Sequence, residues 1–249
     1  MSGKACPAGQ RYLRFAARTI ESIINDEWEA IRAAAGMVAD SVVGAGLIHV
    51  FGTGHSHIMA EEMFYRAGGL AGINPILVGP LMLHQSAVDS TRLERLSGFA
   101  SDIFSELTVS PHDTLIVASN SGGNPVCVGL ARLCADAGAG VIAVISRRHA
   151  AYSHRQTQGE SLEEIADVVI DNHGLVGDAG VEIPGLGHKV GPTSTAAGAV
   201  IVNAIVAEAV ERLVVAGVPV DVFMSANVEG GDEHNQVLLD RYREVVRSL

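Results

Sequence analysis

The chain reads as an α/β protein, a doubly wound and mainly parallel sheet of five strands flanked by helices and preceded by a helical N-terminal extension. Three observations predict this. Short apolar runs alternate with segments of helical period, the pattern of parallel strands joined by right-handed crossovers. Two of those runs end in polar loops that open directly into a helix, Gly52-Thr53-Gly54-His55-Ser56 and Ser119-Asn120-Ser121-Gly122-Gly123-Asn124. Only 4% of the 249 residues are aromatic, whereas 28 are glycine and Ala and Val abound. Such a composition lets helices lie close on a sheet that is covered on both faces.

Residues 1–43 form the extension. Tyr12, Phe15, Ile20, Ile23, Ile24, Trp28, Ile31 and Ala35 recur near helical spacing, which predicts one long helix or two consecutive ones up to about residue 43. Their apolar face either caps the chain's own sheet or docks on a second subunit. Gly44 and Gly46 stop the helix, and residues 44–249 carry the alternation as one domain. Strand 47–51 leads into a helix over 56–67 with the stripe Met59, Ala60, Met63, Phe64 and Ala67. Strand 75–78 follows. Residues 81–113 lack a clear strand and hold a helix around 97–106, and an insert of that length at a strand end suits a binding loop or lid.

Strand 114–119 precedes a helix that Asn124 caps and Pro125 opens. Its face Val126, Leu130, Leu133, Cys134 and Ala137 ends at Gly138. Strand 141–145, a polar stretch 146–159, a short helix 161–166 and strand 167–170 complete the repeat. Pro192-Thr193-Ser194-Thr195 then opens a helix reaching residue 216, apolar around its circumference at first and so expected to be buried on several sides. A polar stretch 225–235 precedes a last helix bearing Leu238, Leu239, Tyr242, Val245, Val246 and Leu249.

The loops carry the chemistry. Backbone N–H groups and hydroxyls that converge at a helix start, where the helix dipole is positive, suit a phosphate. Ser and Asn donate without adding charge, and glycines let the backbone approach a ligand. The net charge of −11, with no basic run beyond Arg147-Arg148, disfavours nucleic acid. Cys6, Cys127 and Cys134 lack metal or redox spacing, and the last two, seven apart on one helix face, read as buried packing in a reducing cytosol. No apolar run is long enough to span a bilayer, so a cytoplasmic protein without a membrane partner is expected.

A strand followed by GTGHS and a helix, a strand followed by SNSGGN and a helix, and GPTST opening an apolar helix together resemble the sugar isomerase (SIS) domain. That phosphosugar-binding fold occurs in the isomerase half of glucosamine-6-phosphate synthase, in sedoheptulose 7-phosphate isomerase and in N-acetylmuramic acid 6-phosphate etherase. The likeness spans residues 42–249 and is strongest to stand-alone bacterial members. It implies that Ser119, Asn120, Ser121 and Gly122, with Asn124 closing the loop, cradle the phosphate. Thr193, Ser194 and Thr195 lend further hydroxyls, and Gly52, Thr53, Gly54, His55 and Ser56 line the sugar side. It also implies a homodimer or homotetramer.

One departure matters. Glucosamine-6-phosphate synthase carries its proton-shuttling glutamate after the second strand, whereas Gly79-Pro80-Leu81-Met82 here has no carboxylate. Aldose–ketose isomerisation needs a base to move a proton between adjacent carbons. Glu62, His84 and His234 are the catalytic candidates. Glu62 also fits a solvated pair with Arg66 one turn on, and His234 a helix start capped by Asp232. On the functional reading His234 belongs to a closing C-terminal segment. Glu61 is a further carboxylate candidate. His55 sits inside its loop, where the dipole favours a neutral ring, and His57 reads as first-turn surface. Neither an H-x-x-x-H nor an H-E-x-x-H spacing occurs, so no metal is expected. The glycines after strand 47–51 do not complete a dinucleotide fingerprint, so no cofactor is expected either. Three functions are compatible with the residues: a phosphosugar isomerase, a non-catalytic phosphosugar sensor, and an etherase-like lyase.

Overall fold

A computed structural model of the chain describes residues 6–154 and 159–249. Helices α1 (Ala8–Asp26) and α2 (Trp28–Val43) lead into a sheet built from β1 (Ile48–Gly52), β2 (Ile73–Pro75), β3 (Thr114–Ala118), β4 (Gly140–Ile145) and β5 (Val168–Asp171). Every neighbouring pair is parallel, in the order β2-β1-β3-β4-β5. The chain moves from β1 out to β2, then returns past β1 to build the other half. That reversal between β1 and β3 is where doubly wound sheets leave a crevice beyond the carboxyl ends of their strands.

The connections are α3 (Ile58–Met63), which continues a 3-10 turn over Gly54–His57, α4 (Ala87–Leu93), α5 (Phe99–Ser105), α6 (Pro125–Asp136), α7 (Arg147–His154) and α8 (Leu162–Ile165). An antiparallel ribbon of β6 (Ala179–Val181) and β7 (Val190–Pro192) precedes the long α9 (Ser194–Val215) and the last helix, α10 (Gly231–Tyr242). Among the described residues no helix is long and apolar enough to cross a membrane.

β1 and β3 are buried from end to end, which explains apolar runs without polar alternation. Successive side chains enter opposite cores. Ile48, Val50, Ile116, Ala118, Ile142, Val144 and Ile170 pack with α2, α3 and α9. Phe51, Leu115, Val117, Val141, Ala143 and Ile145 pack with α5, α6 and α8. The small Ala34, Ala35 and Val38 of α2 are completely covered, so α2 caps the chain's own sheet. α1 instead leans on the ribbon, its Tyr12 hydroxyl donating to the Pro192 carbonyl at 2.8 Å and its Arg11 guanidinium to the Glu182 carbonyl at 2.8 Å. Leu13 and Ile24 stay exposed on it, as does Trp28 at the start of α2.

The five strands fall where the sequence places them, except that the second lies at Ile73–Pro75 rather than 75–78. Pro75 has no N–H to offer and closes this edge strand instead of opening it. The helix expected over 56–67 stops at Met63, because Phe64 is extended and Tyr65 adopts a left-handed φ of 43°. The chain there turns to pair with the C-terminal segment, Gly68 and Ala71 donating to the carbonyls of Phe223 and Asp221. Residues 81–113 hold α4 as well as the expected α5; its cap is Ser86, whose hydroxyl accepts from the Asp89 amide. The polar stretch 146–159 contains α7, while residues 155–158 lie outside the described residues. The first turns of α9 bury Ala197, Gly198, Ile201 and Val202 but leave Ala196 and Val200 exposed, so one side of this helix faces outward.

Candidate functional site

The loop after β1 is a tight 3-10 turn. Gly52 has to be glycine, because a Cβ there would stand 2.5 Å from the Ser56 carbonyl carbon. Gly54 takes a left-handed φ of 54°, and the Ser56 amide donates back to the Thr53 carbonyl at 2.9 Å. This geometry turns His55 outward and His57 inward. His57 is buried with its Nδ1 against the Gly54 carbonyl, which corrects the expectation that it lies on the surface.

The loop after β3 is a second tight turn, the Gly122 amide donating to the Ser119 carbonyl at 3.0 Å with Gly122 at φ 63°. Asn124 joins the two loops. Its Oδ1 accepts from the amides of Val126 and Cys127 and so caps α6, while its Nδ2 donates to Thr53 Oγ1 at 3.0 Å. Thr53 Oγ1 in turn donates to Glu94 Oε2 at 2.8 Å. The Cys127 thiol lies under both loops beside Thr53 and Ser119, and burial pushes it up to about 12, so it is a neutral packing group. Cys134 is likewise pushed up to about 12 by burial.

The start of α9 is held from behind. Asp178 accepts from the amides of Thr193 and Ser194 at 3.1 and 2.9 Å, and from the Ser194 hydroxyl at 2.5 Å. Thr193 is buried, and its hydroxyl has no partner. Thr195 keeps its hydroxyl free among the described residues.

These three elements meet. His55 and Ser56, Ser119 and Asn120, and Ser194 and Thr195 line one small cleft, floored by Met59, Ala118, Val144 and Gly198. Gly198 allows this approach, since a Cβ there would strike Met59 Sδ at 2.5 Å. Asn172, one residue beyond β5, completes the wall and donates from Nδ2 to Asn120 Oδ1 at 3.1 Å. Gly52, Thr53, Gly54, Ser121, Gly122, Asn124 and Thr193 shape the loops without lining the cleft itself. A larger cleft of about 1450 Å³ opens at the opposite end of the sheet, by Leu47 and Asp113. Its arginines, Arg241, Arg243 and Arg247, are already paired with Asp221, Asp240 and Glu106. The small cleft sits at the switch point and gathers the neutral donors, so it is the candidate site.

Glu62, His84 and His234 do not line it. Glu62 accepts from Arg66 and from Asn203 Nδ2, His84 is exposed in the loop after β2, and His234 Nε2 donates to the Val222 carbonyl at 2.8 Å. The polar stretch before α10 spends its groups on itself, Asn235 clasping both the amide and the carbonyl of Met224. Sequence reasoning missed Glu94, Asn172 and Asp178. Asn172 had a signal, its place just past a strand end. The other two had none, because their partners lie 41 and 16 residues away.

The SIS domain family matches residues 11–146, over half of the chain. A UPF0309 protein of Listeria innocua is 44% identical over 239 residues, covering 96% of this chain and 97% of its own. Another from Geobacillus kaustophilus is 39% identical over 231 residues, 92% of each chain. Among solved structures, a phosphoheptose isomerase from Francisella tularensis superposes with a TM-score of 0.54 at 15% identity, over 80% of this chain and 95% of that one. One from Neisseria gonorrhoeae gives 0.51 at 15% identity, over 81% and 96%. At this identity the likeness is one of fold.

Proposed function

Because the chain belongs to the SIS domain family and shares most of its length with bacterial UPF0309 proteins, we propose that its three-loop cleft binds a phosphorylated sugar and interconverts the aldose and ketose forms. The observation that carries this reading is the convergence of His55, Ser56, Ser119, Asn120, Ser194 and Thr195 on one cleft. Ser119 and the turn amides around Asn120 and Ser121 take the phosphate, with Thr195 adding a hydroxyl; His55 and Ser56 bind sugar hydroxyls. Neutral donors at helix starts favour an anion without the desolvation cost of burying a cation beside it.

Isomerisation requires a base that removes the proton from one carbon and returns it to the neighbouring one. Glu94 takes that role in this reading, from a position behind the first loop rather than in the wall of the cleft. One of its oxygens is fixed by Thr53, in the first loop, and the other has no hydrogen bond among the described residues. Asp178 is less suited, since both its oxygens are engaged. A sugar phosphate sensor without catalysis is the second reading, favoured by the structural contacts that occupy Glu62 and His234. Self-association belongs to the same proposal, supported by the exposed Leu13 and Ile24 of α1 and Trp28 of α2.

NMR in deuterated water with a panel of pentose, hexose, hexosamine and heptose phosphates tests it. Solvent deuterium entering C1 or C2 with aldose–ketose interconversion is the expected result, and Glu94→Gln should keep binding while slowing exchange by about 10²-fold or more. Binding without exchange selects the sensor, and ether cleavage a lyase.

A further inference from the structure

We infer that Glu27, Asp171 and His173 form a binding site for a divalent transition-metal cation, which ties the corner between α1 and α2 to the carboxyl end of β5. Among the described residues these three each bring one ligand atom to within 4.8 Å of the others. Nothing in the sequence announces it, for Glu27 and Asp171 are 144 residues apart.

Each side chain is held in place by the backbone around it. Glu27 is the single residue separating α1 from α2, and its Oε2 accepts from the Asp171 amide at 3.1 Å. That contact fixes the carboxylate and leaves Oε1 turned to His173. Asp171 ends β5, and its Oδ1 accepts from the amides of His173 and Arg147 at 2.9 and 3.1 Å. His173 adopts a left-handed φ of 54°, a conformation few non-glycine residues take, and it aims the ring at the two carboxylates.

The ring nitrogen is the informative atom. His173 Nε2 is buried and has no hydrogen-bond partner, although Glu27 Oε1 lies 3.4 Å away and Asp26 Oδ2 4.0 Å away. An imidazole that merely bonded a carboxylate would close to about 2.7–3.2 Å. Ligand atoms sharing one cation, each about 2.1 Å from it, stand about 3.0–3.4 Å apart. The Glu27–His173 separation of 3.4 Å falls within the range of two ligands on one ion, and the orphaned Nε2 supplies the lone pair. Local charge agrees. The Arg147 guanidinium, whose own backbone amide donates to Asp171, points instead to Glu163 at 2.9 Å, and among the described residues no Lys or Arg side chain pairs with Glu27 or Asp171.

The donor set selects the ion. One imidazole with two carboxylates suits Mn²⁺, Fe²⁺, Co²⁺ or Zn²⁺, whereas Mg²⁺ and Ca²⁺ prefer oxygen alone. Asp26 stands outside this set, its Oδ2 4.0 Å from His173 Nε2, so water fills the remaining positions. The consequence falls on Asn172, which sits between two of the ligands in sequence. Asn172 lines the three-loop cleft, while Asp171 and His173 on either side of it meet Glu27. A bound cation would brace that wall from behind.

Full-length protein stripped with a chelator and titrated calorimetrically with Zn²⁺, Mn²⁺ and Mg²⁺ tests the inference. One Zn²⁺ or Mn²⁺ per chain is expected, with Mg²⁺ at least about tenfold weaker. His173→Asn keeps a residue that tolerates the left-handed backbone, and Glu27→Gln keeps the acceptor for the Asp171 amide. Each should weaken binding at least about 100-fold with an unchanged circular dichroism spectrum. Should one of them fail to fold, the other and Asp171→Asn decide. No stoichiometric binding by the wild type, or binding that survives both substitutions, would overturn the site.

Discussion

His49 sits in the middle of β1 with 1% of its surface exposed. Asn74 Nδ2 lies 2.8 Å from its Nδ1 and Asp113 Oδ2 3.4 Å from its Nε2, contacts that a neutral ring protonated on Nε2 serves together. Burial lowers its pKa below 6.5, with Asp113 pulling the other way. For Asp113, burial alone would raise the carboxyl, but amides from Leu47 and Ser110 and the His49 ring hold it below the ordinary value. Both groups therefore bind fewer protons folded than unfolded, and acid opposes folding. The His49 contribution is complete above about pH 6.5 and lost as the pH falls through its lower folded value. That of Asp113 is complete above about pH 4 and lost further down. The Tm should drop between pH 7 and 5, and His49→Gln, which cannot titrate, should flatten that drop. Parallel Tm curves for the two proteins would contradict this. Gly52 makes a second prediction at this scale. Gly52→Ala puts a methyl group into the Ser56 backbone and should cost about 1–3 kcal/mol, measured by urea unfolding.

Elements were legible in the sequence where their signals are local. Asn124-Pro125 announces the start of α6, and both residues hold the positions that the signal implies. Asn124→Ala should cost about 1–2 kcal/mol through the lost cap, and more than Asn124→Ser, which keeps a capping oxygen but loses the bridge to Thr53. Equal urea midpoints for the two variants would show that the cap contributes nothing. At α9 the cap is Asp178, a residue in a left-handed turn at φ 61° that no local pattern predicts. Asp178→Asn tolerates that backbone and removes the charge, so it should loosen α9 by about 1 kcal/mol, visible as faster amide exchange at residues 195–197. Unchanged protection would refute the role. The same division accounts for the misreadings. Helix α3 stops early because residues 68–71 pair with 221–223, a partner far along the chain. Glu94, Asp178 and the Glu27–His173 contact are invisible for the same reason, whereas the two glycine-bearing loops were readable because each one builds its own turn.

For the molecule as a whole, five parallel strands and a reversal of strand order bring loops from residues 55–56, 119–120 and 194–195 to one place. A chain of net charge −11 that gathers neutral donors there resists polyanions over most of its surface yet can accept one phosphate locally. The cleft at this point is far smaller than the one at the other end of the sheet, but it gathers side-chain donors from three loops at the switch point. The most direct measurement is an amide NMR titration of the folded protein with hexose and heptose phosphates and their unphosphorylated counterparts. Saturable shifts clustered at residues 52–57, 119–123 and 194–196, produced by the phosphates alone and lost in Ser119→Ala, are the predicted result. Shifts confined to the opposite end, or none with any phosphorylated sugar, would contradict the assignment of the site.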